Sequence, residues 1–441
     1  MLFIYNIFQI SALILFWPFL VVGILLIPKY RGRILKRLGI GSDLFPDTGS
    51  THRPRIWIHA LSVGEVTSSR PLVRDMREAF PHAMIFFSAS TRSGEETAVR
   101  ILDDYIDRFV PFPLDFLPSV RRFIKRISPD LFILVETDFW PNFLFEIKRS
   151  GIPGLLVNGR ISQKSFDKYN RKKWFFSPMF NSFNFLCMQT EYDAEKMISL
   201  GVAAEKVGTF GNLKYDSVAP AVEEGNGKSC SKNCVRSDDL SDLGMPTSMS
   251  VWVAGSTHPG EEKILFNVFK RVIQEFPYLF LVIAPRNVDR GDEILRIADK
   301  IALAGCLRSK GSVASYANLL ILNTLGELIK FYSICDMAFV GGSLADEGGH
   351  NPLEPACFAK PVMFGPHMDD FDEISKDLLS AGGAVKVCNE DEIYTRLKSW
   401  LADRSLMEET GARAKTFVDH HMGVTARHIE LIRTILKERH G

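Results

Sequence analysis

The chain has 441 residues, too many for one ordinary domain, so two is the natural expectation. With 46% hydrophobic and 24% charged residues it can bury large cores. A formal net charge of +1 excludes a bulk polyelectrolyte role but leaves room for local basic patches.

Residues Met1 to Pro28 hold no Asp, Glu, Lys or Arg and are mostly Leu, Ile, Phe and Val. As a helix this stretch would be about 40 Å long, enough to cross a hydrocarbon core of about 30 Å. Lys29, Arg31, Arg33, Lys36 and Arg37 follow at once. In a cleaved signal the positive charge comes first, so the order predicts an uncleaved anchor over 1–28 with the bulk of the protein on the cytoplasmic side. Asn6, Gln9, Ser11 and Pro18 leave open a segment that lies in the interface instead. The basic cluster would be drawn to anionic lipid headgroups.

From Arg55 onward, short apolar runs alternate with helical patterns. The expected strands are Ile56–Ala60, Met84–Ser88, Arg108–Pro111, Leu131–Val135, Gly154–Val157 and Leu186–Gln189, then Val251–Ala254, Leu279–Ala284, Leu319–Leu322, Met337–Val340, Pro361–Phe364 and Ala384–Val387. Continuous apolar runs joined by helices imply parallel strands covered on both faces. Two such series predict an α/β protein of two doubly wound, Rossmann-like domains with a cleft between them, spanning 29–220 and 251–402. The stretch 221–250 is rich in Ser, Gly, Asn and charge and reads as a linker or insertion. The helical pattern of 403–441 could return to the first domain. Of seven cysteines, Cys230 and Cys234 form a lone Cys-x3-Cys pair, too few ligands for a zinc shell, and the others sit singly.

Ligands of doubly wound sheets collect at the carboxyl ends of strands. After the first strand, Ser62 and Glu65 have capping-box spacing, the default reading, although a carboxylate there could instead be a general base. After the fourth come Glu136 and Asp138, where burial and mutual repulsion would raise a carboxyl pKa, unless they too cap a helix. Arg160 and Lys164 open a region dense in Lys168, Arg171, Lys172 and Lys173 and edged by Trp174, Phe175 and Phe176. Such a face suits an anionic headgroup better than nucleic acid, for which no binding module is visible. Later loops carry Lys214, the glycine-rich entry Gly255–Glu261, Arg286 and Gly326-Glu327. The stretch from Gly341 to Ala356 runs from a strand through two glycine pairs to Asn351, Pro352 and Glu354, placed as N-cap, first and third helical residues. Free N–H groups at such a helix start favour an anion. No P-loop or dinucleotide fingerprint appears, and Asp370-Phe371-Asp372 is a weak metal signal.

Taken in order, SVGE (Ser62–Glu65), ETDFWPN (Glu136–Asn142), NGRIS (Asn158–Ser162), GNLKYD (Gly211–Asp216), GSTHPGEE (Gly255–Glu262), PR (Pro285–Arg286), GEL (Gly326–Leu328) and GGHNPLEPA (Gly348–Ala356) resemble the lipid A transferases of 3-deoxy-D-manno-octulosonic acid (Kdo). The resemblance runs from the apolar N-terminus to the last helix. It departs at Asn287, where the family usually has His, and at Asp370, where it usually has Asn. It implies a GT-B glycosyltransferase of lipopolysaccharide biosynthesis at the cell inner membrane, inverting and needing neither metal nor cofactor. The implied donor is CMP-Kdo and the implied acceptor a lipid A precursor. Glu65 would be the general base, and Glu136, the second catalytic residue, would sit in the same cleft and help hold the acceptor or sugar. Ser62, Arg160 and Lys164 would hold the acceptor. Arg286, Gly326, Glu327, Asn351 and Glu354 would bind the donor, with Lys214 near its carboxylate or phosphate. The rival readings are a UDP-sugar transferase or epimerase of the same fold, and a catalytically inactive membrane-anchored glycolipid-binding protein.

Overall fold

Every apolar run expected as a strand becomes one in the computed structural model, which describes residues 2–11, 14–15, 28–41, 54–218, 249–311 and 317–440. The first sheet contains β1 (Arg55–Ala60), β2 (Met84–Ala89), β3 (Arg108–Phe109), β4 (Leu131–Val135), β5 (Gly154–Gly159), β6 (Phe185–Met188) and β7 (Val207–Thr209). The second contains β8 (Ser250–Thr257), β9 (Leu279–Pro285), β10 (Gly305–Leu307), β11 (Leu319–Ile321), β12 (Met337–Val340), β13 (Val362–Phe364) and β14 (Ala384–Lys386). Their orders are β3-β2-β1-β4-β5-β6-β7 and β10-β11-β9-β8-β12-β13-β14, with parallel pairing throughout. The two strands that sequence reasoning missed, β7 and β10, are three-residue edge strands, each containing a glycine. Edges need only one partner, so their apolar pattern is weak.

The alternation of side chains explains the layers. Trp57, Phe86, Phe132 and Leu134 point to one face of the first sheet, under helices Leu117–Ile127 and Pro141–Arg149. There Trp57 meets Phe143 edge-on at 5.1 Å between ring centres. Ile56, Ile58, Ile85, Phe87, Ile133 and Val135 point to the other face. Each such fully buried side chain contributes about 1.5–3 kcal/mol of transfer free energy. The second sheet repeats the scheme, with Trp252, Leu281 and Phe339 on one face and Val253, Val282 and Ala338 on the other.

The chain divides into two compact units, residues 1–217 with 423–441, and residues 218–422. Helix Arg404–His421 belongs to the second unit. At Gly423 the backbone turns with φ +81°, and helix Val424–His440 packs on helix Val63–Ala79 of the first unit. Its start is held by the buried Asp216 carboxylate, which accepts N–H bonds from Gly423 (2.8 Å) and Thr425 (2.6 Å).

The expected anchor over 1–28 falls largely outside the described residues. Among those described, no helix is long and apolar enough to cross a membrane. Residues 2–11 are helical. The side chains of Tyr5, Asn6 and Gln9 face the first unit, where Tyr5 donates to Asp115 Oδ2 at 2.9 Å, Asn6 exchanges bonds with Asn142, and Gln9 donates to the Asp115 carbonyl. Phe3, Ile4, Ile7, Phe8 and Ile10 are exposed. The basic cluster is split. Arg37 donates to the Phe112 carbonyl and Arg33 to the Ser90 carbonyl and Glu95, so both are turned into the protein rather than toward lipid. The insertion expected at 221–250, with Cys230 and Cys234, lies outside the described residues up to 248.

Candidate active site

Both sheets reverse their winding at their first strand, since β1 lies between β2 and β4, and β8 between β9 and β12. The crevice above such a switch point is where open α/β sheets take ligands. In the first unit the sequence puts His59 and Glu65 at the end of β1, and Glu136 to Asp138 at the end of β4. Three carboxyl groups therefore converge there.

Glu65 is 6% exposed, in the first turn of helix Val63–Ala79. The expected capping box is not made, because Ser62 is the N-cap residue but its side chain makes no cap bond. Glu65 Oε2 accepts from the Leu61 N–H, not from Ser62, at 2.5 Å, and Oε1 accepts from the Thr137 hydroxyl at 2.8 Å. Burial, helped by the charges of Glu136 and Asp138 and opposed by those two hydrogen bonds, lifts the Glu65 carboxyl to about 7. A carboxylate at that value is poised to take and release a proton near neutral pH.

Glu136 accepts from the Ser68 hydroxyl (3.2 Å) and the Asn158 amide (2.8 Å), with the Arg160 guanidinium 3.7 Å from its other oxygen. Ile161, next along, is pinned by Asp193 and Lys196, so Arg160 projects from a fixed backbone with its side chain 60% exposed. Lys164 is exposed on helix Gln163–Arg171 and makes none of these contacts. Lys214 sits in the first unit, in the turn that begins at Leu213, whose N–H meets Asn158 Oδ1. It is therefore not in the unit that carries the other expected donor residues.

His59 was not assigned from sequence, and Asp138, expected to titrate high, is instead held low by its partners. His59, fully buried, bonds Asp138 Oδ2 through Nε2 at 2.9 Å, while Nδ1 meets the Ser88 hydroxyl. Burial holds the imidazole below its usual range and hence neutral. Burial also disfavours the charge of Asp138, but bonds from His59 and Ser90 outweigh it and hold that carboxyl low. A histidine one residue before the end of a buried strand was the available signal.

In the second unit the glycine-rich stretch is built differently from its expected role. The carboxylate of Glu261, 1% exposed, accepts N–H bonds from His258, Gly342, Ser343, Leu344 and Ala345 at 2.8–3.3 Å. The N–H groups of the turn from Gly342 to Ala345 are thus filled by the protein itself. Gly341 is required by close approach, since a Cβ there would lie 2.5 Å from the Ser256 carbonyl oxygen. Glu262, equally buried, pairs with Arg290 at 2.7 Å.

Beyond this brace, Asn351 Oδ1 accepts from the Leu353 N–H, and its amide reaches Glu354 at 3.4 Å. The helix it opens is only one turn, Leu353–Ala356. Burial, against the Asn351 bond and the positive charge of Arg286, raises the Glu354 carboxyl to about 7. The same guanidinium, after burial, helps push His350 down to about 4. Arg286, Asn351 and Glu354 therefore share one electrostatic neighbourhood at the ends of β9 and β12, with Arg286 exposed. Gly326, at φ +83°, and Glu327 follow β11. Glu327 is turned toward Arg308 at 3.0 Å.

Asp370 and Asp372 do not form a joint site, because Asp372 pairs with Lys376. Among the described residues, Asp346, His367 and Asp369 bring metal-type ligand atoms within 4.8 Å, with both acids exposed. A cavity of about 550 Å³ lies at the opposite end of the first sheet, beside the starts of β4 and β5. Of its four cations, Arg121 and Arg149 are paired with Glu146, and Arg439 with Asp130, while Lys125 also lines it.

Two parallel-sheet, Rossmann-like units with switch-point clefts define the class, a GT-B-like fold. Solved structures agree. The UDP-GlcNAc 2-epimerase of Neisseria meningitidis matches with TM-score 0.56 over 87% of this chain and all of that one, at 11% identity. A glycosyltransferase of Rickettsia africae matches with TM-score 0.55 over 88% of this chain and all of that one, at 13% identity. At such identities the likeness shows the fold alone. The sequence goes further. Residues 32–217 match the family model described as 3-deoxy-D-manno-octulosonic-acid transferase (kdotransferase). The 3-deoxy-D-manno-octulosonic acid transferase of Haemophilus influenzae is 30% identical over 98% of this chain and 99% of its own. The chain belongs to the Kdo transferase family and is a glycosyltransferase.

Proposed function

We propose that the enzyme transfers Kdo from CMP-Kdo to a lipid A precursor with inversion at the anomeric carbon. One observation carries the assignment of the base, the buried Glu65 carboxylate held by the Leu61 N–H and the Thr137 hydroxyl above the switch point of β1 and β4. Ionised Glu65 removes the proton from the acceptor's sugar hydroxyl. The hydroxyl oxygen then forms a bond to the anomeric carbon of Kdo, whose bond to the phosphate oxygen breaks with its electron pair leaving on CMP. Arg160, held by Glu136, meets an anionic group of the acceptor. Arg286 offsets charge on the departing CMP, and Glu354 accepts from ribose hydroxyls. The test is mass spectrometry of products from purified enzyme, CMP-Kdo and a lipid A precursor. A mass increase of one or more Kdo units is expected, and tighter binding of UDP than of CMP would sink the donor assignment.

The same reading places the protein at the cell inner membrane, where its acceptor resides. What supports this is the helical segment 2–11, whose polar side is keyed to Asp115 and Asn142 while Phe3, Ile4, Ile7 and Phe8 face outward. Exposed Trp174 extends this apolar set through Phe175, which contacts Tyr5. Such a helix suits a bilayer interface, with basic side chains of the first unit near anionic headgroups. Co-sedimentation with phosphatidylglycerol vesicles checks it. Phe3→Ser with Phe8→Ser is expected to release protein into the supernatant, and unchanged pelleting overturns the placement.

A further inference from the structure

Thr137 stands between two residues of unusual backbone. Glu136 has φ +57° and Asp138 φ +81°, the left-handed region that non-glycine residues rarely occupy. Such a conformation persists only where the surroundings over-determine it. Here they do. Glu136 is fixed by Ser68, Asn158 and Arg160, and Asp138 by His59 and Ser90. The imidazole is fixed in turn, since Trp57 Nε1–H donates to the Ser88 hydroxyl and that hydroxyl faces His59 Nδ1. Phe112 stacks on the ring at 3.6 Å between centres. The consequence falls on the residue between. The Thr137 N–H folds back to the Val135 carbonyl at 2.7 Å, and its hydroxyl is delivered to Glu65 Oε1 at 2.8 Å.

We infer that Thr137 is a positioning residue for Glu65, its hydroxyl aiming and stabilising the ionised carboxylate, and that the buried His59–Asp138 pair holds it there. The inference rests on the assignment of Glu65 as base. Without the hydroxyl, Glu65 keeps one donor, the Leu61 N–H, against the same burial and the same charges of Glu136 and Asp138. The other charged groups at this mouth are Arg160 beside Glu136 and Arg37, which feels Asp138. Neither is displaced by a change at Thr137. A carboxylate that loses a donor to its charged form titrates higher. The fraction of enzyme carrying an ionised base at a given pH therefore falls.

The experiment is the pH profile of kcat/KM for wild type, Thr137→Val and Thr137→Ser, with Glu65→Gln alongside. Wild type is expected to rise through an acid limb near pH 7. In Thr137→Val the limb moves up by about one pH unit, so the variant is about tenfold slower at pH 6 and approaches wild type above pH 9. Thr137→Ser restores the wild-type limb. Donor binding, measured by titration with CMP, is unchanged in all of them. A Thr137→Val profile with the wild-type limb, whatever its height, overturns the positioning role. Should that variant not fold, Thr137→Ala removes the same hydroxyl and carries the same comparison. The base assignment is read separately, because its failure would show as activity retained in Glu65→Gln.

Discussion

Two glutamates stand at the same place in the two units. Glu65 opens the helix after β1, and Glu261 opens the helix after β8. Both are buried and both accept a backbone N–H from just before their helix, from Leu61 and His258. There the likeness stops. Glu261 takes four further N–H groups from the loop after β12, so every lone pair is used in holding Gly342–Ala345. Glu65 has only one further donor, burial prevails, and its carboxyl rises to about 7. The same local grammar thus makes a brace in one sheet and a proton acceptor in the other. What decides is the number of donors set against the cost of burial.

Mutations can break or sharpen this contrast. The largest effect is expected at Glu65, where Glu65→Gln keeps the shape but loses the base. Transfer should fall by about 10³-fold or more, as a radiolabelled-Kdo assay would read, while the melting temperature moves little. Next comes Glu261→Gln, which presents an amide NH₂ to N–H donors. It should destabilise the second unit by about 2–4 kcal/mol in a urea titration, and full stability would show that the brace is dispensable. Arg160→Ala leaves both glutamates in place. It should raise the KM for acceptor about tenfold, the worth of one charge-assisted contact, with a smaller effect on kcat. The smallest change is expected for Glu327→Gln. Its carboxylate already serves Arg308, so CMP affinity measured calorimetrically should change by less than about threefold.

The strands and their parallel order were legible because four to six consecutive apolar residues between helices admit few other readings. Glu65, Glu136 and Arg160 were legible as residues at strand ends, and the structure brings them together through Thr137, Ser68 and the Arg160–Glu136 ion pair. The role of Glu261 was not. Its partners lie more than eighty residues away, and only folding reveals that a glycine-rich turn is already occupied. The part played by Thr137 escaped for another reason. It follows from the positive φ angles of Glu136 and Asp138, and a Glu-Thr-Asp triplet gives no sign of these. Lys214 was grouped by sequence proximity with the later loops, yet its turn packs with the first unit through Asn158.

The return of helix Val424–His440 sets an order of events during synthesis. Ile429, Ile432 and Leu436 complete a core face of the first sheet, and Asp216 caps the helix that carries them. Between Asp216 and that helix the ribosome must make about two hundred residues of the second unit, which takes roughly 10–40 s at ordinary translation rates. Throughout that interval the surface of helix Val63–Ala79 that this helix covers has no partner from its own chain. The helix bearing Glu65 is therefore among the last parts of the molecule to be fully clamped, and a fragment that stops at residue 217 would carry the base on an unfinished core.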